Sequence, residues 1–121
     1  MNKLKQLLIV INHGAAGDGK TDDAIAIQKT IDACAAAGGG QVLFPASHVY
    51  LSGPIQLKSN INLHLEAGAV LLANPDEKIY TKSAFRDNPG EGTIWIGGEK
   101  LENVMLSGLG EINGNGISFM G

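Results

Sequence analysis

A chain of 121 residues with 44% hydrophobic and 17% charged residues is long enough for one modest core and too apolar to be disordered. Its net charge of −3 argues against a general nucleic-acid or anionic-membrane surface, and no stretch is long enough to span a bilayer. One cysteine, Cys34, excludes an intrachain disulfide and leaves the redox compartment and the localisation unknown.

Taken in order, the chain opens with Lys3 and Lys5 before the apolar run Leu7-Leu8-Ile9-Val10-Ile11. Secretory signals need an apolar core of about 7–15 residues and a small-residue cleavage site, so this run reads as a first strand. The stretch from Gly14 to Asp23 admits two readings. Gly14, Gly19, Lys20 and Thr21 satisfy the spacing of a phosphate-binding loop between strand and helix, which would make the chain a nucleotide hydrolase. Against it, Asp22 and Asp23 would repel a phosphate, and Leu63-His64-Leu65-Glu66 is a poor substitute for the acidic strand that holds magnesium. The structural reading makes Gly17 and Gly19 a tight turn and Thr21 the N-cap of a helix, with Asp22 and Asp23 in its first turn complementing the dipole. That helix runs from about residue 21 to 37, with Ile27, Ile31 and Cys34 on one apolar stripe, and Gly38-Gly39-Gly40 stops it. Cys34 is therefore a buried small hydrophobe rather than a nucleophile.

Beyond Gly40 the period changes to that of strands. Short ones are expected at Val42-Leu43-Phe44, Val49 to Ser52, Ile55 to Leu57, Ile61 to Glu66 and Val70 to Leu72. A polar excursion loop is expected over residues 74–92, then strands at Thr93 to Ile96, at Val104 to Leu106 and near Glu111-Ile112. Asn60-Ile61-Asn62-Leu63 with Gly68 and Leu71 is weakly repeated as Asn103-Val104-Met105-Leu106 with Gly110 and, one place out, Ile112. Repeats of strand and turn at this period suggest a solenoid with Asn60 and Asn103 at equivalent corners, where their side chains satisfy turn backbone groups. An ordinary sandwich with Asn in its turns is the alternative.

The strings Gly14-Ala15, Gly17-Asp18-Gly19, Thr21-Asp22-Asp23, Ala26-Ile27-Gln28 and Ile31-Asp32 resemble the opening signature of the pectate-lyase-like β-helix superfamily. Gly38 to Pro45, Tyr50 to Asn60, Leu63 to Leu71 and Gly108 to Gly116 are similar to glycoside hydrolase family 28, the polygalacturonases and their relatives. His13, Ser47-His48-Val49 and Asn113 depart from the family pattern as turn or surface changes. The resemblance implies a right-handed parallel β-helix, all-β apart from an N-terminal capping helix that hides the apolar end of the solenoid and its open strand edges. Residues 1–121 would be the N-terminal portion of one such domain, with coils over 42–121.

The resemblance also implies inverting hydrolysis of pectic polysaccharide by two carboxyl groups about 6.5–9.5 Å apart. The family supplies these groups from Asn-Thr-Asp and Asp-Asp motifs, with Gly-His-Gly and Arg-Ile-Lys in support. None of those motifs stands in these 121 residues: Asp22-Asp23 belongs to the helix start, and His13-Gly14 follows Asn12. No catalytic, cofactor-binding or metal-binding residue is therefore assigned, and no cofactor is expected. Lys82, Arg86 and Lys100 are solvated cations before they are sugar contacts, while Asp76, Glu77, Asp87 and Glu91 are turn residues. His64, alternating with Leu63 and Leu65, faces solvent or a turn. The chain reads as an enzyme fragment inactive alone, with a non-catalytic carbohydrate-binding or adhesion module as the alternative. Its open C-terminal end, near Ile112 to Met120, is expected to lower solubility or to self-associate unless a partner covers it.

Overall fold

The computed structural model describes residues 6–75, 96–98 and 101–114. Strand β1 (Gln6–Ile9) leads into a 3₁₀ turn, Val10–His13, then β2 (Asp18–Asp22) and the helix α1 (Ala24–Ala36). There follow β3 (Gly40–Phe44), β4 (Val49–Ser52), β5 (Ile55–Gln56), β6 (Ile61–Leu65), β7 (Val70–Ala73), β8 (Ile96–Gly97), β9 (Met105–Gly108) and β10 (Glu111–Asn113). Three parallel sheets collect them: β1-β3-β6-β9 in sheet A, β2-β4-β7-β10 in sheet B and β5-β8 in sheet C. Each circuit of the chain visits A, then B, then C, which is a parallel β-helix rather than a sandwich. In the first circuit α1 stands where later circuits place a strand of sheet C.

Period-two alternation produces this winding. In β3 and β6 every second residue is buried, and register sets Val42 against Leu63 and Phe44 against Leu65. The same side-chain type thus stacks on itself from coil to coil, at the strand spacing of about 4.8 Å. Phe44 and Tyr50 meet edge to face at 5.3 Å in the bore, and the Tyr50 hydroxyl donates to Pro45 O at 2.9 Å. Burial raises the pKa of that phenol, with the charges of Asp23 and Glu66 adding to the effect, so it stays a donor at physiological pH.

The cap differs from the sequence expectation at its start. Thr21 is not the N-cap and Asp22 is not helical: both lie in β2, where Asp22 pairs with Leu51 of β4. The reason is that Asp18 takes the Lys20 and Thr21 N–H groups at 2.9 and 2.8 Å, folding the glycine turn onto itself. The chain then stays extended until Asp23, which is the N-cap by position and makes no side-chain cap bond. The apolar stripe is as expected: Ile27, Ile31 and Cys34 are wholly buried against the core formed by Val10, Val42 and Ile61.

Helix α1 also closes an edge. Gln28 Nε2 donates to Gln56 O at 2.9 Å, and Gln28 Oε1 accepts from Gln56 N at 2.8 Å. One side-chain amide thus pairs with β5 as a neighbouring strand would. The cap does not cover sheets A and B in this way, since β1 and β2 are their outer strands. Strand β2 protects itself with an irregular register between Asp18 and Asp22 and with exposed charged side chains.

The two asparagine corners are present: Asn60 and Asn103 adopt left-handed φ of 68° and 60°. Their side chains bond each other, Asn103 Nδ2 donating to Asn60 Oδ1 at 2.9 Å, rather than serving turn backbone as expected. The repeat is out of step after the corner because Glu66–Ala69 turns β6 into β7, whereas Leu109 and Gly110 suffice between β9 and β10. Most of the excursion loop, Thr93 to Trp95 and residues 115–121 lie outside the described residues.

Two stability outcomes follow. Ile31→Ala should cost about 2–5 kcal/mol in chemical denaturation, whereas Ile25→Ala, 74% exposed on the same helix, should change stability by less than about 0.5 kcal/mol. Gly39→Ala should destabilise for two reasons: φ is +107°, and a Cβ would stand 2.5 Å from Asn60 O.

Candidate functional site

The glycine-rich turn was the sharpest motif, and its chemistry is decided by what its N–H groups already hold. Asp23, 2% exposed, accepts from Ala16 N at 2.8 Å and Gly17 N at 3.0 Å. Asp18 accepts from Lys20 N, Thr21 N and the Thr21 hydroxyl. The amides that would face a phosphate are thus satisfied by the protein's own carboxylates, and Lys20 and Thr21 lie on a strand rather than at a helix N-terminus. His48 Nδ1 donates to Gly17 O at 3.3 Å, so Ser47-His48-Val49 is a contact between turns rather than an isolated surface change.

Four of the other described carboxylates are also committed; Glu102 is exposed. Asp22 accepts from Ala24 N, Gly53 N and Asn74 Nδ2, and joins the cap to two coils. Asp32 pairs with Lys58 at 3.0 Å, Glu66 accepts from Ala46 N at 3.0 Å, and Glu111 accepts from Asn113 Nδ2. Among the described residues no three His, Cys, Asp or Glu side chains gather to hold a metal ion. Lys82, Arg86, Lys100, Asp76, Glu77, Asp87 and Glu91 lie outside the described residues. Cys34 is buried, and desolvation raises its thiol pKa, away from the thiolate form a nucleophile needs.

Polar groups do converge on the outer face of sheet A. A cleft of about 700 Å³ crosses β1, β3, β6 and β9 there, with Gln41, Asn62 and His64 in its lining. Ser107 Oγ donates to Asn62 Oδ1 at 2.9 Å and lies 2.7 Å from His64 Nδ1. With its one hydrogen on Asn62, the hydroxyl accepts from the ring N–H, which leaves His64 Nε2 as the acceptor nitrogen of the neutral imidazole. His64 is therefore neither free in solvent nor in a turn: it is half-buried and tied to the next coil. Reading the sequence did not find Ser107, although the signal was there. The repeat that equates Asn60 with Asn103 also equates His64 with Ser107, both pairs being 43 residues apart.

Residues 9–106 match the model of the family described as rhamnogalacturonase A/epimerase, pectate lyase-like. The chain belongs to that family. Its similarity to the exo-poly-α-D-galacturonosidase of Dickeya chrysanthemi is 34% identity over 92% of this chain and 20% of the relative. The solved family 28 exopolygalacturonase of Yersinia enterocolitica superposes with a TM-score of 0.78 at 32% identity, covering 93% of this chain and 21% of that one. Plasmin and fibronectin-binding protein A of Streptococcus pneumoniae is 36% identical over 90% of this chain and 15% of its own length. This member of the pectate lyase-like family thus spans between 15% and 24% of the curated relatives that it matches over nearly its whole length, those from Dickeya chrysanthemi and Streptococcus pneumoniae among them. Its likeness to family 28 holds, and its parallel coils form the right-handed β-helix expected.

The Asp18 turn makes a pH prediction. Hydrogen bonds from Thr21 N, Lys20 N and the Thr21 hydroxyl, in that order, hold its pKa below the ordinary 3.8. A depressed carboxylate contributes stability that is complete above the unfolded value and is lost as pH falls through the lowered folded value. The Asp18 carboxyl carbon should therefore titrate below 3.8 by NMR, and Thr21→Val should move the midpoint upward. An unchanged midpoint would show that the hydroxyl contributes nothing.

Proposed function

We propose that this chain forms the capped N-terminal coils of a single β-helix domain in a glycoside hydrolase that acts on pectic polysaccharide. The similarity over nearly the whole chain to an exo-poly-α-D-galacturonosidase carries the reading. In it, the capped coils start the solenoid and set its register, and coils beyond Gly121 carry the two carboxyl groups of an inverting reaction. Six of the seven described carboxylates support this division, because each of Asp18, Asp22, Asp23, Asp32, Glu66 and Glu111 already holds a turn, a cap or a neighbour. Leu106 and Ile112, on the outermost strands β9 and β10, are 51% and 40% exposed, which suits a further coil stacking on them. Without that coil the same edges would pair with a second copy of the chain.

A second reading is a non-catalytic binding module, favoured by the similarity to the pneumococcal plasmin and fibronectin-binding protein. One comparison separates the two. The product of the open reading frame continued past the codon for Gly121 should release reducing ends from polygalacturonate, and the 121-residue chain should release none. Release by the short chain would overturn the assignment of chemistry to later coils. Saturable polysaccharide binding by the longer product without release would favour the module.

A further inference from the structure

The chemistry of the cleft on sheet A is selective. Its polar lining is mostly of side chains that both donate and accept, the amides of Gln41, Asn60, Asn62 and Asn103 and the imidazole of His64, with one carboxylate, Glu66. Leu7, Leu43 and Met105 stand beside them, Leu7 and Met105 being 56% and 57% exposed. A pyranose presents the same alternation, hydroxyls that donate and accept around patches of C–H. At about 700 Å³ the cleft is within the range of small-ligand sites, about 300–1,000 Å³.

The geometry is also fixed before a ligand arrives. Asn62, Ser107 and His64 hold one another across β6 and β9, Asn60 and Asn103 do so at the corner, and Glu66 is tied to Ala46 N. Ordering these side chains on binding therefore costs little. An extended peptide could add a strand only at the outer strands β1 and β9 and not within the cleft, where β3 and β6 are paired on both sides. Charge selects further. Among the described residues that line the cleft there is no Lys or Arg, and Glu66 is present. A uronate carboxylate would meet a negative charge there without a cation to offset it.

We propose that this cleft binds a short neutral oligosaccharide. Gln41 and Asn62 meet the sugar hydroxyls, His64 Nε2 accepts from one of them, and Met105 covers a C–H face. Ser107 is a positioning residue that holds the ring of His64. The inference stands whether or not the longer protein is a hydrolase, because its readout is binding by these residues and not release of reducing ends.

The test is an NMR titration of the 121-residue chain with galactotetraose, cellotetraose and maltotetraose, and with trigalacturonate as the acidic counterpart. At least one neutral tetrasaccharide should bind saturably, with shifts centred on Asn62, His64 and Ser107, and trigalacturonate should not move those signals. Asn62→Ala and Met105→Ala should each weaken binding by about tenfold with spectral dispersion unchanged. Ser107→Ala should weaken it less and shift the His64 ring signals in the free protein. Two further surface variants, Gln41→Ala and Leu7→Ala, keep the test open should Asn62→Ala unfold. No neutral sugar bound at about 10 mM, binding of trigalacturonate alone, or shifts confined to another face would overturn the proposal.

Discussion

An inward side chain in a parallel coil packs across the bore and on its equivalents in the coils above and below, so a coil without a neighbour cannot complete its burial. Val42 is covered because Leu63 stands beneath it, and Leu63 in turn has Leu106 on the far side. The burial pattern records this dependence. Leu63 is fully buried with a coil on either side, while Leu106, in the last described strand of the same sheet, is 51% exposed. Register matters more here than in a sandwich, because slipping one coil by a residue would turn its whole apolar row outward.

The first coil faces the same difficulty in reverse, and α1 resolves it. Ile27, Ile31 and Cys34 close the bore beside the first described coil. A helix has no backbone groups to offer a sheet edge, since its own are used internally. Gln28 supplies the missing pair through its side chain, one donor and one acceptor to the backbone of Gln56. Lys58, two residues beyond β5, adds an exposed ion pair with Asp32 of α1, worth at most about 1 kcal/mol. Among the described residues no buried side-chain polar atom is left without a hydrogen bond, so the change from helix to strand leaves no orphaned group in those side chains.

What could be read from the sequence follows from this physics. The alternation in Ile61-Asn62-Leu63-His64-Leu65 and the stripe through Ile27, Ile31 and Cys34 are local signals, and both were legible. The start of the helix was not, because three features compete for the Thr21 region and propensity ranks only one. Thr21 is a good cap in isolation, but Asp18 binds its N–H and hydroxyl, and pairing with β4 keeps Asp22 extended. The outer face of sheet A was half legible. The repeat carried the pairing of His64 with Ser107, yet its register is clear only once the two turns of unequal length are seen.

The phosphate-loop pattern shows why spacing alone does not carry chemistry. A run of glycines before a helix presents several N–H groups in one direction, and such a nest attracts whichever anion reaches it first. In a nucleotide-binding loop that anion arrives with the ligand. Here the sequence itself supplies two, Asp18 and Asp23, tethered within a few residues at a far higher effective concentration than any free phosphate. Binding its own carboxylates makes the turn rigid and sets the path from β1 into the cap. The glycines are required for both outcomes, and the acidic residues decide between them.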